Sequence, residues 1–318
     1  MKYYFAPLHG VTGYIYRNAH RSFFGQVDKY FTPFITPTKN KVFTTKELND
    51  ILPEHNEGIT VIPQLLTNNA EHFIYTANEL IKFGYTELNL NLGCPSGTVV
   101  SKGKGSGFLA HQYELDKFLN QVFSEVKAKI SIKTRIGRDT PDEFYDLIEI
   151  YNKYPLEELI IHPRTRQDFY KNEPNLDIFK DGLTLSKNPV CYNGNIYNAD
   201  DYNELIKKFP DLSSVMLGRG LIANPALIEE INGEPIINRD LMREFHEKVF
   251  GDYRKVLPED LSVLFKMKEL WFYMSRMFQE SDKYFKKIRR SERLSDYEII
   301  VSKVFHELDM EEKLLYRF

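Results

Sequence analysis

Short apolar runs alternate with longer amphipathic stretches over the first two-thirds of this 318-residue chain. Runs of four to eight apolar or β-branched residues predict strands, whereas a 3.6-residue periodicity predicts helices. The pattern predicts eight strands, at Tyr3–Ala6, Lys29–Ile35, Ile59–Leu65, Glu87–Leu92, Lys129–Thr134, Glu158–His162, Pro189–Asn193 and Ser213–Leu217.

Three helix starts are recognisable between these strands. One begins at Asn69 and runs to about Phe83, another begins at Thr140 with a proline at its first position, and a third begins at Asn198. Strands that alternate with helices over ~230 residues predict an α/β fold with a parallel (β/α)8 TIM barrel. A doubly wound open sheet is the alternative, and the strand count favours the barrel.

The pattern changes at about residue 237. Strand-like runs give way to long amphipathic stretches at Asp240–Tyr253, Asp260–Phe278 and Ser295–Leu308. We therefore predict two domains, a catalytic barrel over residues 1–237 and an appended helical bundle over 238–318.

Composition narrows the class of protein. The net charge of −3 gives no overall support to nucleic-acid binding, so local patches would have to supply it. No apolar run approaches the ~20 residues of a membrane span, and the first residues lack the apolar core of a secretory signal. With only two cysteines, a disulfide framework is not expected. These features predict a cytoplasmic protein without membrane association, and we expect a monomer.

Polar or glycine-rich residues end seven of the eight predicted strands. In a (β/α)8 barrel the carboxyl ends of the strands form the active-site mouth. We therefore expect these segments to converge on one rim: residues 6–10, 63–65, 89–95, 133–135, 162–166, 193–195 and 218–220.

The last two of these ends suit a phosphate. Loops after strands 7 and 8 of such barrels commonly bind phosphate through backbone N–H groups. Gly218, Arg219 and Gly220 would form one side of the cradle, and Asn193-Gly194-Asn195 the other. With Gln64 to pair with a pyrimidine edge and Lys133 near an anionic ring, the set suits flavin mononucleotide, FMN.

Cys94 lies between Gly93 and Pro95 at the end of the fourth predicted strand. The two neighbours favour a backbone that aims the thiol into the mouth. A thiol there can be a nucleophile, a metal ligand or a general acid. No second Cys or His lies at metal-ligand spacing, so we expect no metal. Cys191, inside an apolar run, is expected to be a small buried hydrophobe.

At these residues the chain resembles the tRNA-dihydrouridine synthases. The resemblance covers residues 1 to about 232 and implies that FMN, reduced by NADPH, delivers a hydride to C6 of a uracil flipped out of tRNA. The matching segments are Ala6–Thr12, Asn91–Pro95, Ser101–Gly107, Lys133–Arg135, Ile161–Arg166, Asn193–Asn195 and Met216–Gly220.

The resemblance assigns roles to residues at matching positions. It implies that Cys94 donates a proton to C5 of the uracil. It implies that the substrate is bound by Asn91, Lys102, Arg164 and Arg166. It implies that FMN is contacted by Pro7, Leu8, His9, Gln64, Lys133, His162, Asn193, Gly194, Asn195, Gly218 and Arg219.

The chain departs from the family's usual residues at four positions: Leu8, Gly13, Pro163 and Asn195. None of these departures removes a catalytic group. Pro163 is expected to restrict the loop after the sixth strand, and Asn195 to alter contacts near the flavin's ribityl chain.

A basic cluster in the helical region is the candidate tRNA-binding patch, although a solvated helix face is the alternative interpretation. It consists of Lys283, Lys286, Lys287, Arg289, Arg290 and Arg293.

Two other functions remain open at this point. One is a flavin barrel that reduces a free pyrimidine, and the other is an RNA-binding barrel without redox activity. The basic cluster argues against the first, and the cysteine with its flavin-type neighbours argues against the second.

Overall fold

Nine parallel strands form one sheet in the computed structural model, which describes residues 1–38 and 43–314. The sheet order is β3-β2-β1-β9-β8-β7-β6-β5-β4. The strands are β1 (Lys2–Phe5), β2 (Lys29–Phe31), β3 (Val61–Ile62), β4 (Gln64–Leu65), β5 (Glu87–Leu92), β6 (Lys129–Gly137), β7 (Leu159–Thr165), β8 (Val190–Tyr192) and β9 (Ser214–Leu217).

The two edge strands of this order belong to one extended segment. Pro63 separates β3 from β4 because proline has no N–H to contribute to the ladder. An isolated parallel bridge between Ile35 and Leu65 joins the segment after β2 to β4. The sheet therefore closes on itself, each of the eight predicted strands has a counterpart, and the predicted (β/α)8 barrel is confirmed.

Fourteen α-helices accompany the strands in the described part of the chain. None of them combines the length and hydropathy needed to cross a bilayer. They are α1 (Tyr14–Phe23), α2 (Thr45–Ile51), α3 (Ala70–Lys82), α4 (Gly97–Val100), α5 (Gln112–Glu125), α6 (Glu143–Tyr151), α7 (Leu176–Leu185), α8 (Ala199–Lys208), α9 (Arg219–Ala223), α10 (Leu227–Ile231), α11 (Arg239–Val256), α12 (Asp260–Met274), α13 (Asp282–Arg290) and α14 (Leu294–Glu307).

Side-chain hydrogen bonds account for two helices that begin where predicted and for a third that begins later than predicted. The Asn69 side chain accepts the N–H of His72 at 2.8 Å, and the Asn198 side chain accepts that of Asp201 at 2.9 Å. The helix predicted from Thr140 begins at Glu143 instead. The Glu143 carboxylate accepts backbone N–H groups from Arg138 and Thr140, which holds the preceding segment as a loop.

The chain divides into two compact units. The first contains Met1–Pro7, Asp28–Asn195 and Phe209–Met216, and so holds the barrel strands. The second contains Leu8–Val27, Ile196–Lys208 and Leu217–Phe318, and so holds α1 and α8 to α14. The boundary at residue 237, with a helical domain over 238–318, stays a prediction.

A cluster of buried side chains fills the first unit between the strands. Six of its members come from β1, β2, β3, β7, β8 and β9, as expected when alternate residues of each strand point inward, and Ala6 directly follows β1. Cys191 is one of them and is fully buried, which confirms its expected role as a small hydrophobe. The cluster consists of Tyr4, Ala6, Phe31, Ile62, Ile160, Cys191 and Met216.

The second unit has a buried polar centre. The Trp271 indole donates to the hydroxyl of Tyr297 at 2.8 Å, and that hydroxyl is 2.6 Å from Nε2 of His246. Burial lowers the pKa of His246 to about 3, so the ring is neutral and accepts the Tyr297 proton. His20 is also buried, 3.0 Å from the carbonyl of Pro225, and burial lowers its pKa to about 3.

Mild acid is therefore expected to destabilise the protein. Below pH 6.5 the histidine takes up a proton in the unfolded chain but stays neutral in the folded protein, whose histidine pKa is about 3. The full stability is therefore present above pH 6.5 and is lost as the pH falls toward the folded pKa. Between pH 6.5 and 5, the free energy of unfolding should drop by ~1.5 kcal/mol for each of His20 and His246. Urea unfolding across this range measures the slope.

His246→Gln serves as the control because glutamine keeps a hydrogen-bond acceptor for Tyr297 but does not titrate. This variant should lose about half of the pH dependence. A wild-type protein with the same unfolding midpoint at pH 6.5 and pH 5 would contradict the account.

Candidate functional site

Hydrogen bonds fix the backbone of Cys94 on both sides of the residue. The side-chain oxygen of Asn91 accepts the N–H groups of Gly93 at 3.1 Å and Cys94 at 2.9 Å. The Cys94 carbonyl accepts the backbone N–H of Ser106 at 3.1 Å and its hydroxyl at 2.8 Å. The half-buried thiol therefore projects from a turn with little freedom.

Glycine is required at position 105, in the glycine-rich segment that follows Cys94. Its φ of +55° lies in the left-handed region, and a Cβ there would stand 2.8 Å from the Cys94 carbonyl oxygen and 3.0 Å from the Cys94 Cβ. Any side chain at this position would displace the cysteine.

Arg135 secures the same turn from β6. Its Nε donates to the Gly93 carbonyl at 2.9 Å, and its two Nη groups donate to the carbonyls of Thr165 at 2.7 Å and Phe169 at 2.8 Å. The guanidinium thus joins the cysteine turn to the loop after β7. Arg135 was not among the residues predicted to act at the site, although its i,i+2 spacing from Lys133 places both on one face of the strand.

The electrostatic surroundings keep the Cys94 thiol protonated. Burial raises the pKa of Cys94, and a backbone hydrogen bond from Ser96 and the nearby cations Arg135 and Lys133 only partly oppose that shift. A thiol with a raised pKa is a proton reservoir at neutral pH and a poor thiolate nucleophile. This direction favours the general-acid role over the nucleophile.

A chain of side-chain amides lies beside the turn. Nε2 of Gln64 donates to Oδ1 of Asn89 at 2.8 Å, and Oε1 of Gln64 accepts from Nδ2 of Asn91 at 2.7 Å. Asn89 in turn donates to the hydroxyl of Ser131 at 2.9 Å. Gln64 is fully buried and therefore orients Asn91, while its predicted contact with a cofactor stays a prediction.

Lys133 is a half-buried cation that makes no hydrogen bond or ion pair with any residue in the described ranges. Burial, followed by repulsion from Arg135, lowers its pKa to about 7. Lys133 is in register with Asn91 of β5, whose side chain accepts the N–H of Cys94, so Lys133 and Cys94 lie at the same end of the barrel. An unpaired lysine in such a position is suited to an anionic ligand.

Two further predicted residues, His162 and Arg164, lie in β7. Arg164 is buried and donates from its two Nη groups to Nε2 of His162 at 2.8 Å and Oδ1 of Asn195 at 3.1 Å. His162 therefore accepts at Nε2, which leaves its proton on Nδ1. Arg164 orients these two neighbours, and its predicted contact with uracil stays a prediction.

The remaining predicted residues of the first unit differ in exposure. Asn193 is buried and donates to the Met216 carbonyl at 2.8 Å. Lys102 is exposed, and its carbonyl accepts from the side chain of Asn68 at 3.1 Å. Arg166 is half-buried, and its Nε has no hydrogen-bond partner within the described residues. Pro7 and Gly194 are half-buried.

The second unit contains the other predicted residues. Leu8 is half-buried in a turn in which its N–H donates to the Thr12 hydroxyl at 2.8 Å, and His9 is exposed. Gly218 precedes α9, and the guanidinium of Arg219 lies 5.6 Å from the centre of the Tyr197 ring. All members of the basic cluster are exposed, which agrees with both interpretations given above: Lys283, Lys286, Lys287, Arg289, Arg290 and Arg293.

Comparison with known sequences finds dihydrouridine synthases in each case. The family model of dihydrouridine synthase matches residues 4–315. A probable tRNA-dihydrouridine synthase of Staphylococcus aureus is 27% identical over 261 residues, which cover 79% of this chain and 77% of that protein. The tRNA-dihydrouridine(16) synthase of Pseudomonas putida is 25% identical over 303 residues, which cover 90% of this chain and 92% of that protein.

Solved structures with a similar fold include two other barrel proteins. Morphinone reductase matches with a TM-score of 0.50 and 13% identity, over 75% of this chain and 87% of that one. The old yellow enzyme from Trypanosoma cruzi matches with a TM-score of 0.51 and 10% identity, over 75% of this chain and 90% of that one. At such low identity these likenesses show the fold alone.

Proposed function

The chain belongs to the dihydrouridine synthase family, and from this premise we propose that it reduces the C5–C6 bond of uridines in tRNA, with FMN as cofactor and NADPH as reductant. The observation that best supports the proposal is the position of the Cys94 thiol and Lys133, a lysine without an ion-pair partner in the described ranges, at the same end of the barrel. A proton donor beside a site for an anion is what this reduction requires.

The residues of the first unit fit a flavin. Lys133 lacks a partner in the described structure and would pair with the anionic edge of the reduced ring. His162 lies in β7 and Asn193 directly follows β8. Their polar groups would contact the flavin ring or its side chain. In the second unit, Gly218 and Arg219 are proposed to hold the phosphate, and Leu8 and His9 to contact the flavin.

When bound, the reduced flavin supplies the hydride that adds to C6 of the uracil. Cys94 completes the reaction by donating its thiol proton to C5, and the thiolate then regains a proton from solvent. Asn91 and Ser106 keep the thiol directed at the base by fixing the backbone of its turn. Asn91, Lys102, Arg164 and Arg166 are the proposed substrate contacts.

We expect FMN binding to depend on the charge of Lys133. Because the pKa of Lys133 is about 7 in the free protein, the lysine is protonated below that pH and neutral above it. FMN affinity should therefore fall as the pH rises from 6 to 9, by up to about tenfold for each unit above the pKa. Titration of the apoprotein by flavin fluorescence measures this.

Lys133→Met should bind FMN more weakly and with a flatter pH dependence. Lys102→Met is the matched control, because that lysine is exposed. If FMN affinity in Lys133→Met equals that of the wild type at every pH, Lys133 does not contact the flavin.

The basic cluster favours a tRNA substrate over the second candidate, a free pyrimidine. Binding a free pyrimidine requires no group of exposed cations, whereas binding the phosphates of RNA does. We propose that the helical region 238–318 binds tRNA through this cluster and that the enzyme acts as a cytoplasmic monomer. Turnover of orotate or uracil with none of tRNA would overturn the proposed substrate.

A further inference from the structure

The loop after β7 holds an aromatic residue in an unusual backbone conformation. Phe169 has a φ of +48°, in the left-handed region that costs a bulky residue about 1 kcal/mol or more. The residue is also 38% exposed, so part of the ring remains open to solvent. Backbone strain at a partly exposed aromatic residue suggests a role in binding rather than in folding.

The surrounding bonds hold Phe169 in this strained position. Nη2 of Arg135 donates to the Phe169 carbonyl at 2.8 Å, and the Phe169 N–H donates to the Arg166 carbonyl at 3.2 Å. The Asp168 carboxylate accepts the N–H of Thr165 at 2.7 Å and its hydroxyl at 2.8 Å. The ring is therefore presented by a braced loop.

A cation lies over the same ring. The Arg166 guanidinium is 5.3 Å from the centre of the Phe169 ring, within the range of a cation–π contact. The buried Nε of Arg166 has no hydrogen-bond partner among the residues that the structure describes. The pair therefore combines an exposed π-surface, a positive charge and an unused donor.

The position of the pair relative to Cys94 is fixed by one residue. Arg135 donates to the Gly93 carbonyl, beside Cys94, and to the Phe169 carbonyl, so a single guanidinium separates the two turns. The Phe169 loop therefore lies beside the turn that bears the Cys94 thiol.

We propose that Phe169 and Arg166 form a stacking platform for an unstacked RNA base, that of a nucleotide next to the uridine being reduced. The inference rests on the proposed function and adds to it the site that holds the flanking nucleotide. Bases of any identity stack on an aromatic ring, and the adjacent cation matches the phosphate backbone. An uncharged ligand would leave both the charge and the donor of Arg166 unused.

Phe169→Asn separates a binding role from a structural one. Asparagine tolerates positive φ, so the variant should unfold at the same temperature as the wild type or higher. Its Kd for an unmodified tRNA transcript should nevertheless rise about tenfold, within the range measured for loss of one base–aromatic stack. Phe169→Trp should retain wild-type affinity, and filter binding at fixed salt measures all three proteins.

Tyr75→Leu is the matched control, since Tyr75 is 57% exposed in the middle of α3 and should leave the Kd unchanged. Wild-type affinity in Phe169→Asn, in a protein that forms dihydrouridine normally, overturns the platform and leaves the proposed function standing. A wild-type protein that neither binds nor reduces tRNA overturns both.

Discussion

Replacing Cys94 with alanine is expected to lower the rate of dihydrouridine formation by roughly 10²- to 10⁴-fold, the contribution typical of a positioned general acid. Asn91 and Ser106 fix the backbone of Cys94, and burial raises the pKa of its thiol. Mass spectrometry of tRNA nucleosides after single turnover measures the loss directly.

The oxidation of NADPH by the bound flavin should continue in Cys94→Ala, because that half-reaction needs no proton at C5 of a uracil. Cys191→Ala is the matched control, since it removes the other thiol, which is fully buried. It should keep near-normal turnover in folded protein. Wild-type turnover in Cys94→Ala would show that another group donates the proton.

The pH dependence of this step follows from the same raised pKa. A general acid works in its protonated form, so the single-turnover rate should be level near neutrality and fall as the pH rises through the pKa of Cys94. A rate that instead increases with pH would indicate a thiolate acting as a nucleophile.

Arg135→Met is expected to reduce the free energy of unfolding by ~3 kcal/mol or more, because three carbonyls lose their donor at a cost of about 1–3 kcal/mol each where buried. These carbonyls belong to Gly93, Thr165 and Phe169, so the cysteine turn and the loop after β7 should loosen together. Urea unfolding measures the loss, and alkylation of Cys94 should become faster where the turn opens.

Arg138→Met is the matched control for this experiment. Arg138 follows β6, and its exposed side chain pairs only loosely with Asp139 at 3.7 Å, so the change should stay within about 0.5 kcal/mol. Equal unfolding midpoints for Arg135→Met and Arg138→Met would mean that the guanidinium does not hold the two turns.

The barrel was predictable because each strand is a short apolar run with a distinct polar end. Strand and helix boundaries that depend on single residues were harder to predict. Pro63 divides the third strand into two, and the carboxylate of Glu143 delays the helix expected at Thr140. Helix α13 was not predicted as a separate helix because six of its nine residues are charged and Ile288 is the single buried one, with Tyr284 and Phe285 only partly buried.

The site was predictable as a set of strand ends, and less so as a network of contacts. The position of Cys94 and Lys133 follows from the barrel rule. The bonds of Arg135 and Ser106 to the cysteine turn join residues 12 to 42 positions apart, and no local pattern specifies them. Strain at Phe169 has no signal in the sequence, since phenylalanine rarely adopts that conformation.

A single turnover of the prereduced, FMN-loaded protein with an unmodified tRNA transcript, in the absence of oxygen, tests most directly whether the protein reduces uridine in tRNA through Cys94. Dihydrouridine should appear in the transcript in proportion to the flavin reoxidised, and Cys94→Ala should form almost none under the same conditions. Flavin that stays reduced in the presence of tRNA, but is reoxidised by free orotate or uracil, would contradict the account.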